Sequence, residues 1–403
     1  MPRLPSISLA NNSPSPGIPG EGRGEGRSRE QATAPHPNPL PAYRERELET
    51  DNFRHTLLAW YDRDRRDLPW RVPLGSPAGV RPDPYHVLVS EAMLQQTQVA
   101  TVIPYFKRFL DAFPTVQHLA GADEQRVLRL WQGLGYYSRA RNLRKAARAI
   151  VDDHAGRIPS DVSTLLTLPG VGRYTAGAIA SIAHDTRAPI VDGNVVRVIC
   201  RIDAIQSDPH DKAVVTLLWD RAAELVPPDR PGDFNSALME LGATICTPKN
   251  PNCLICPVAR LCKANERGIQ NLIPPPKKAK QAPLEQRTVW CIWRDVDGVR
   301  QFRFEQRPST GRWAGMWQFV TRPRFGKTPR GARSLGTVAH ALTHRRYEFD
   351  VLLLPESAVA SAAKLDARES TPAQWLTLEA SEALPLPKPH VQIRLMLQAP
   401  ANG

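Results

Sequence analysis

Pro169-Gly170-Val171-Gly172, followed by a helical run from Arg173, forms a turn that leaves backbone N–H groups uncovered at the start of a helix. Nothing bulky stands in front of those donors, so a phosphate can sit on them at the positive end of the helix dipole. A dinucleotide site would need a hydrophobic strand before the glycines and the spacing G-x-G-x-x-G. Here Ile158 to Leu168 reads as a turn and a short helix, so a DNA backbone is the better partner for Gly170 and Gly172. Further along, Val191-Asp192-Gly193-Asn194-Val195 sets a carboxylate before an apolar helix. Asp192 can cap that helix and still lie near the captured strand. A second carboxylate, Glu91, is embedded in the apolar run from Tyr85 to Leu94, where desolvation raises its pKa towards that of an acid catalyst.

Four of the six cysteines, Cys246, Cys253, Cys256 and Cys262, lie within 17 residues with the spacing C-x6-C-x2-C-x5-C. Thiols clustered in a chain without a hydrophobic leader point to a metal, not to disulfides. Ligand type alone leaves zinc and a [4Fe-4S] cluster both open. Cys200 and Cys291 stand apart and read as buried apolar side chains.

These groups need a fold to hold them, and 403 residues suffice for two full cores. The formal charge is +13, and residues 1–50 carry six Lys and Arg against six Asp and Glu, so the excess falls on residues 51–403. A basic folded region suits a polyanion. No apolar run approaches membrane-spanning length, and a soluble protein of the bacterial cytoplasm and nucleoid, without a membrane partner, is expected.

Residues 1–50 hold Pro, Gly and Arg/Glu repeats with almost nothing to bury, and are expected to be a disordered low-complexity tail. Their acidic residues argue against an organellar transit peptide. From Phe53 to about Gly268 apolar residues recur at helical spacing, over Val87 to Phe113, Glu124 to Trp131, Ala140 to His154 and Thr175 to Ala183, which predicts a mainly α domain over 51–270. The Pro- and Lys-rich stretch in 271–284 predicts an extended connector. Strand patterns at Thr288 to Trp293, Gln301 to Gln306, Thr337 to His340 and Tyr347 to Leu354 predict a small α/β domain over 285–397, before a tail at 398–403.

Across roughly residues 52–397 the chain resembles the MutY family of adenine DNA glycosylases. The resemblance rests on Ser90-Glu91-Ala92-Met93-Leu94-Gln95-Gln96-Thr97-Gln98-Val99, Gly133-Leu134-Gly135-Tyr136-Tyr137-Ser138-Arg139-Ala140-Arg141-Asn142-Leu143, the hairpin at Gly170 and Gly172, the Asp192 element and the four cysteines. It implies a multi-domain protein, with a helix-hairpin-helix glycosylase built from a six-helix barrel and a [4Fe-4S] subdomain (cluster loop 246–262), followed by an α/β Nudix-like domain. The implied activity is monofunctional excision of adenine mispaired with 8-oxoguanine or guanine in double-stranded DNA, by a monomer, leaving an abasic site.

Leaving-group departure needs a proton on the base and negative charge beside the sugar. By the resemblance Glu91 supplies the proton, at adenine N7, and Asp192 stabilises the sugar cation or a transient adduct. Tyr174 stands where the related endonuclease III group carries a lysine that forms a Schiff base, and a phenol cannot form one. Tyr174 and Asn194 are then expected to position water or support Asp192. Taking a base out of the duplex leaves a gap, and by the resemblance Gln96, Thr97, Leu134 and Tyr136 surround the orphaned partner. Leu68-Pro69-Trp70-Arg71 is implied to shape the adenine pocket.

The four cysteines are implied to hold the [4Fe-4S] cluster and to present Lys249, Arg260, Lys263 and Arg267 to phosphates. Phe304 to Pro308 and Trp313 to Phe319 resemble the family's Nudix-like domain. The carboxylate-rich helix R-E-x-x-E-E that a Nudix hydrolase needs is missing between Val320 and Leu342, so this domain is expected to bind without hydrolysing. His340-Ala341-Leu342-Thr343-His344 aligns with the family's Phe-Ser-His loop, which implies that Thr343 and His344 touch the damaged guanine, while Leu342, Gln318 and Val320 depart from the usual Phe, Glu and Pro. Two other readings share some of these features: an endonuclease III-like lyase for oxidised pyrimidines, opposed by Tyr174, and a non-catalytic iron–sulfur DNA-binding redox sensor, opposed by Glu91, Asp192, Tyr174 and Asn194 together.

Overall fold

The apolar periodicity after Phe53 folds as a succession of helices in the computed structural model, which describes residues 41–77, 79–276, 282–323, 330–342, 345–362 and 372–399. The first, α1 (Pro41–Asp64), starts inside the stretch expected to be a disordered tail. Arg44-Glu45-Arg46-Glu47-Leu48-Glu49 are good helix formers behind a proline suited to a first turn, so they prolong the helix that Phe53, Leu57 and Tyr61 anchor. The run from Val87 to Phe113 divides into α2 (Pro84–Leu94) and α3 (Val99–Ala112), because Gln96 adopts φ 58° between them. A left-handed residue ends a helix.

Among the described residues seven further helices follow: α4 (Val116–Gly121), α5 (Glu124–Trp131), α6 (Ser138–Asp153), α7 (Val162–Leu165), α8 (Arg173–His184), α9 (Gly193–Ile202) and α10 (Lys212–Leu225). Then come α11 (Pro231–Thr244) and the short α12 (Lys263–Glu266). Asp83, Asp123, Asp161 and Asp192 each accept a backbone N–H at a helix start, worth about 1 kcal/mol apiece. α8, which follows the hairpin, has no such side-chain cap.

Two apolar cores organise these helices. One gathers Leu88 and Met93 of α2 with Phe106, Phe109, Trp131, Leu143 and Ile179. The other gathers Leu57 and Tyr61 of α1 with Val198, Ile199, Leu218, Phe234 and Leu241. α8 is shared, with Ala176 and Ile179 in the first core and Ala178 in the second. α11 closes on α8 at Gly232, where an added Cβ would stand 2.3 Å from the Ser181 carbonyl oxygen. The groove between the two cores is where α2, α8, α9 and α11 bring their polar side chains together.

The C-terminal α/β domain is a mixed six-stranded sheet of order β4-β5-β1-β3-β2-β6, built from β1 (Leu284–Val296), β2 (Val299–Gln306), β3 (Trp317–Pro323), β4 (Arg333–Leu342), β5 (Arg345–Pro355) and β6 (Ala373–Leu376). β1 and β5 run parallel, and the other pairings are antiparallel. Alternation along β1 sends Val289 and Cys291 to one face, beside Ile393 of α14 (Lys388–Gln398), and Trp290 and Ile292 to the other, beside Val359 of α13 (Glu356–Ala362). Cys200 and Cys291 are both fully buried, as their isolation suggested.

β3 and β6 were not anticipated. Trp317, Gln318, Phe319 and Val320 are all buried, so β3 carries no alternation of polarity for a pattern to catch. The span from Val320 to Leu342 contributes strand and no helix among its described residues.

This domain grips the helical one through Trp313 to Met316. Met316 is fully buried in the first helical core, and Trp313 packs against both that core and the sheet. Gln125 donates to the Gly315 carbonyl at 3.0 Å, Arg141 to the Ala314 carbonyl at 2.7 Å, and the Leu386 N–H to Gln132 Oε1 at 3.1 Å.

Candidate active site

Glu91 lies on the last turns of α2, whose residues from Val87 to Met93 are all buried, and it retains only 6% of its exposure. Burial lifts its carboxyl to about 7, against the pull of a hydrogen bond from Tyr174, with the Asp192 charge adding to the rise and Arg71 opposing it. Tyr174 enters from the first turn of α8, where its hydroxyl also meets Met239 Sδ at 3.1 Å. Burial and the two carboxylates keep its phenol well above its ordinary value, so it stays a neutral donor.

Asp192 comes from the opposite lobe. Its Oδ1 accepts the Val195 N–H at 2.7 Å, capping α9, and its Oδ2 accepts Asn194 Nδ2 at 3.0 Å. The dipole at the start of α9 favours the ionised form of Asp192. Burial works against it and lifts the pKa above the ordinary carboxylate value, outweighing the cap, the Asn194 amide and the Arg197 charge. Two carboxyls with elevated pKa values thus face one cleft.

That cleft, about 460 Å3, is lined by Glu91, Tyr174, Asp192 and Asn194 together with Trp70, Arg71, Gln96, Thr97, Met239 and Glu240. No lysine lines it among the described residues. Sequence reasoning reached Trp70 and Arg71 but missed Glu240, which is 1% exposed on α11 and takes Arg66 at 2.6 Å and Arg71 at 2.8 Å. Burial pushes the Glu240 carboxyl up, yet the two guanidiniums overcome it and hold it at about 2. A buried carboxylate of this kind signals itself only through its partners, and these stand 174 and 169 positions away in the sequence.

The hairpin has the geometry its glycines suggest. Gly170 has φ 79°, and a Cβ there would stand 2.5 Å from Asn142 Cβ, so both conformation and space demand glycine. Gly172 precedes α8 with nothing within 4 Å of where a Cβ would be, and the first N–H groups of α8 lack a side-chain acceptor. Gln96, exposed, and Thr97, half-buried, form the loop after α2. Leu134 is buried in the first core, whereas Tyr136 is 42% exposed and takes φ 46°. Leu134 and Tyr136 share with Arg312, Trp313, His340, Leu342 and Lys388 a second cleft of about 570 Å3 between the two domains. Thr343 and His344 lie outside the described residues.

Cys246, Cys253, Cys256 and Cys262 ring one cavity at the end of α11, and burial raises the last three thiols, Cys256 to about 12. Among the described residues no three His, Cys, Asp or Glu side chains converge on one point that would serve a single ion. Four thiols around one cavity are the donor set that a polynuclear iron–sulfur group takes. Arg201, 2% exposed, points a guanidinium at Cys246 Sγ (3.2 Å) and at the Thr247 and Ile273 carbonyls (both 2.8 Å), a positive charge suited to a buried thiolate-bound group. Arg197 links this loop to the cleft, donating to the Cys246 carbonyl at 2.6 Å and to Asn194 Oδ1 at 2.8 Å. Lys249 and Arg260 on the loop, Lys263 on α12 and Arg267 just after it are exposed.

Comparison with known proteins shows what the chain is similar to. Residues 89–224 match the model of the HhH-GPD superfamily of base excision DNA repair proteins, 246–262 the iron-sulfur binding domain of endonuclease III, and 289–395 a NUDIX domain. The chain is 40% identical to the adenine DNA glycosylase of Rattus norvegicus, covering 81% of this chain and 74% of that one. It is also 40% identical to the adenine DNA glycosylase of Homo sapiens, over 75% and 67%. Among solved structures, a thermostable thymine-DNA glycosylase aligns at 32% identity and a TM-score of 0.48, covering 55% of this chain and 99% of its own.

Proposed function

From the premise that this chain belongs to the adenine DNA glycosylase family, a DNA N-glycosylase of base excision repair, we propose that it extrudes adenine from opposite 8-oxoguanine or guanine into the cleft between its two helical cores. The observation that carries this reading is the convergence of Glu91, Tyr174 and Asp192 on that cleft from both sides. A carboxyl with a pKa of about 7 is substantially protonated at neutral pH, and Glu91 delivers that proton to adenine N7. Tyr174 donates to Glu91 and steers the direction in which its acidic proton points.

As the base leaves, the sugar becomes cationic, and the Asp192 carboxylate stabilises it at close range in a dry site. Developing positive charge nearby favours the ionised form, which reverses the rise that burial alone imposes on Asp192. Asn194 orients the carboxylate through Oδ2. The Arg71 and Glu240 pair offers a fixed donor and acceptor on the cleft wall for the polar edge of a base, with Trp70 as the flat apolar surface beside it. The uncapped start of α8 supports phosphate binding at Gly170 and Gly172. The interdomain cleft beside Leu134 and Tyr136 supports reading of the opposite base there, whereas Gln96 and Thr97, expected around that same base, line the cleft of Glu91 instead.

The [4Fe-4S] group is assigned to Cys246, Cys253, Cys256 and Cys262. When bound it knits together a loop whose Leu254 and Ile255 point outwards and which has little core of its own. Cys253→Ser is expected to lower iron content and duplex affinity together, measured by iron–sulfur absorbance and by gel mobility shift on the same preparation.

The test of the function is a single-turnover excision assay on duplexes with adenine opposite 8-oxoguanine, guanine or cytosine, read after hot alkali. Cleavage of the first two and little of the third is expected; a folded, iron-loaded protein that cuts none refutes the reading. Borohydride added during turnover is expected to trap no covalent complex, since no amine lines the cleft among the described residues. An abundant trapped adduct would favour lyase chemistry.

A further inference from the structure

Arg139 stands on the first turn of α6 with 9% of its surface exposed, and its guanidinium reaches across to two other elements. Nη1 donates to the carbonyls of Ala92, Met93 and Gln95 at 3.0, 2.8 and 2.6 Å, the unsatisfied acceptors at the end of α2. Nη2 donates to Thr97 Oγ1 at 3.2 Å and to the carbonyls of Leu134 and Gly135, both at 3.1 Å. The cation also lies 5.4 Å from the Trp131 ring and 5.7 Å from the Tyr136 ring. One planar fork therefore holds both the helix end that carries Glu91 and the loop that carries Leu134 and Tyr136. A cavity of about 150 Å3 adjoins it, bounded by Gln95, Asn142 and the hairpin residues Pro169 to Val171, which leaves room for this junction to shift.

We propose that Arg139 is a positioning residue that couples the Gly133–Tyr136 loop to the end of α2, so that seating this loop in the duplex sets the placement and hydration of Glu91. The proposal rests on Glu91 being the acid and on Tyr136 facing DNA. A loop pushed by DNA moves the Leu134 and Gly135 carbonyls. The guanidinium follows, because leaving a buried N–H unpaired costs more than shifting with its acceptor. The same fork then pulls on Ala92, Met93 and Gln95, one to four positions beyond Glu91. Lysine keeps the charge but brings one nitrogen where the guanidinium brings two to these six acceptors.

The experiment compares wild type, Arg139→Lys and Tyr136→Ala in the iron-loaded full chain. The first readout is the pH dependence of the single-turnover rate at saturating enzyme. Wild type is expected to lose rate as pH rises through about 7. In Arg139→Lys the α2 end loosens and Glu91 becomes wetter, so this limb is expected to move down by about one pH unit. Tyr136→Ala is expected to slow wild type about tenfold but Arg139→Lys less than twofold, as coupled sites do. An unmoved limb together with equal losses in both backgrounds overturns the proposal.

If Arg139→Lys does not fold, hydrogen exchange decides the matter with the exposed Tyr136 alone. DNA binding is expected to protect amides 92–97 in wild type and to leave them unprotected in Tyr136→Ala; equal protection in both overturns the coupling. A wild-type profile without an alkaline limb refutes the role of Glu91 instead, and the exchange arm still judges Arg139.

Discussion

Asp192→Asn is expected to reduce single-turnover adenine excision about a thousandfold or more, the scale of removing a group aimed at transition-state charge, while duplex affinity stays equal or tightens. Asparagine is a good helix cap, so its Oδ1 can keep the 2.7 Å bond from the Val195 N–H and α9 should form as before. What disappears is the negative charge beside the sugar. Its new amide also meets Asn194 Nδ2, a donor where an acceptor stood, and Asn194 cannot simply flip because its Oδ1 holds Arg197. Loss of one anion near phosphates should not weaken binding. Gel mobility shift alongside a quenched-flow rate checks both halves; a variant within tenfold of wild type contradicts the assignment.

Glu91→Gln is expected to abolish the alkaline limb along with most of the rate, and to stabilise the fold at alkaline pH. Its carboxyl is lifted from 4.5 to about 7 in the folded chain. Below pH 4.5 it is neutral in both folded and unfolded chains and carries no penalty. Between 4.5 and about 7 the unfolded chain releases a proton that the folded chain keeps, so stability falls as pH rises. Above about 7 the penalty levels off at roughly 3 kcal/mol, from the size of the shift. Glutamine removes this term, so melting curves of the two proteins should separate at pH 8, the variant melting higher, and approach each other at pH 4. Coincident curves at pH 8 would mean that Glu91 is not held neutral by its site.

Much of this site was legible because its chemistry is local in the chain. Glu91 announced its desolvation through its apolar neighbours, Gly170 through a turn only glycine can make, Asp192 through a cap, and the cysteines through spacing. Glu240 gave no such sign, since an isolated glutamate in a helical run reads as surface until Arg66 and Arg71 are brought to it from the far end of the domain. The six acceptors of Arg139 were hidden for a related reason: backbone carbonyls are the same in every sequence. The upward pull on the pKa of Asp192 was not legible, because the helix dipole is visible in a sequence whereas the depth of burial is not. β3 escaped detection because burial on both faces erases alternation, and the tail boundary because Pro41 to Glu49 has the composition of a loop but the propensity of a helix.

Met316 joins the two domains more firmly than a connector could. A side chain of the C-terminal domain, just ahead of β3, that is fully buried in the same core as Leu128 and Trp131 makes each half part of the other's interior. Heat or denaturant that loosens the sheet must open a void among those helices, so the C-terminal and helical domains are expected to melt in one cooperative transition. Damage to either is then felt as loss of the whole, and shortening the chain to its helical portion is expected to lower the melting temperature of what remains.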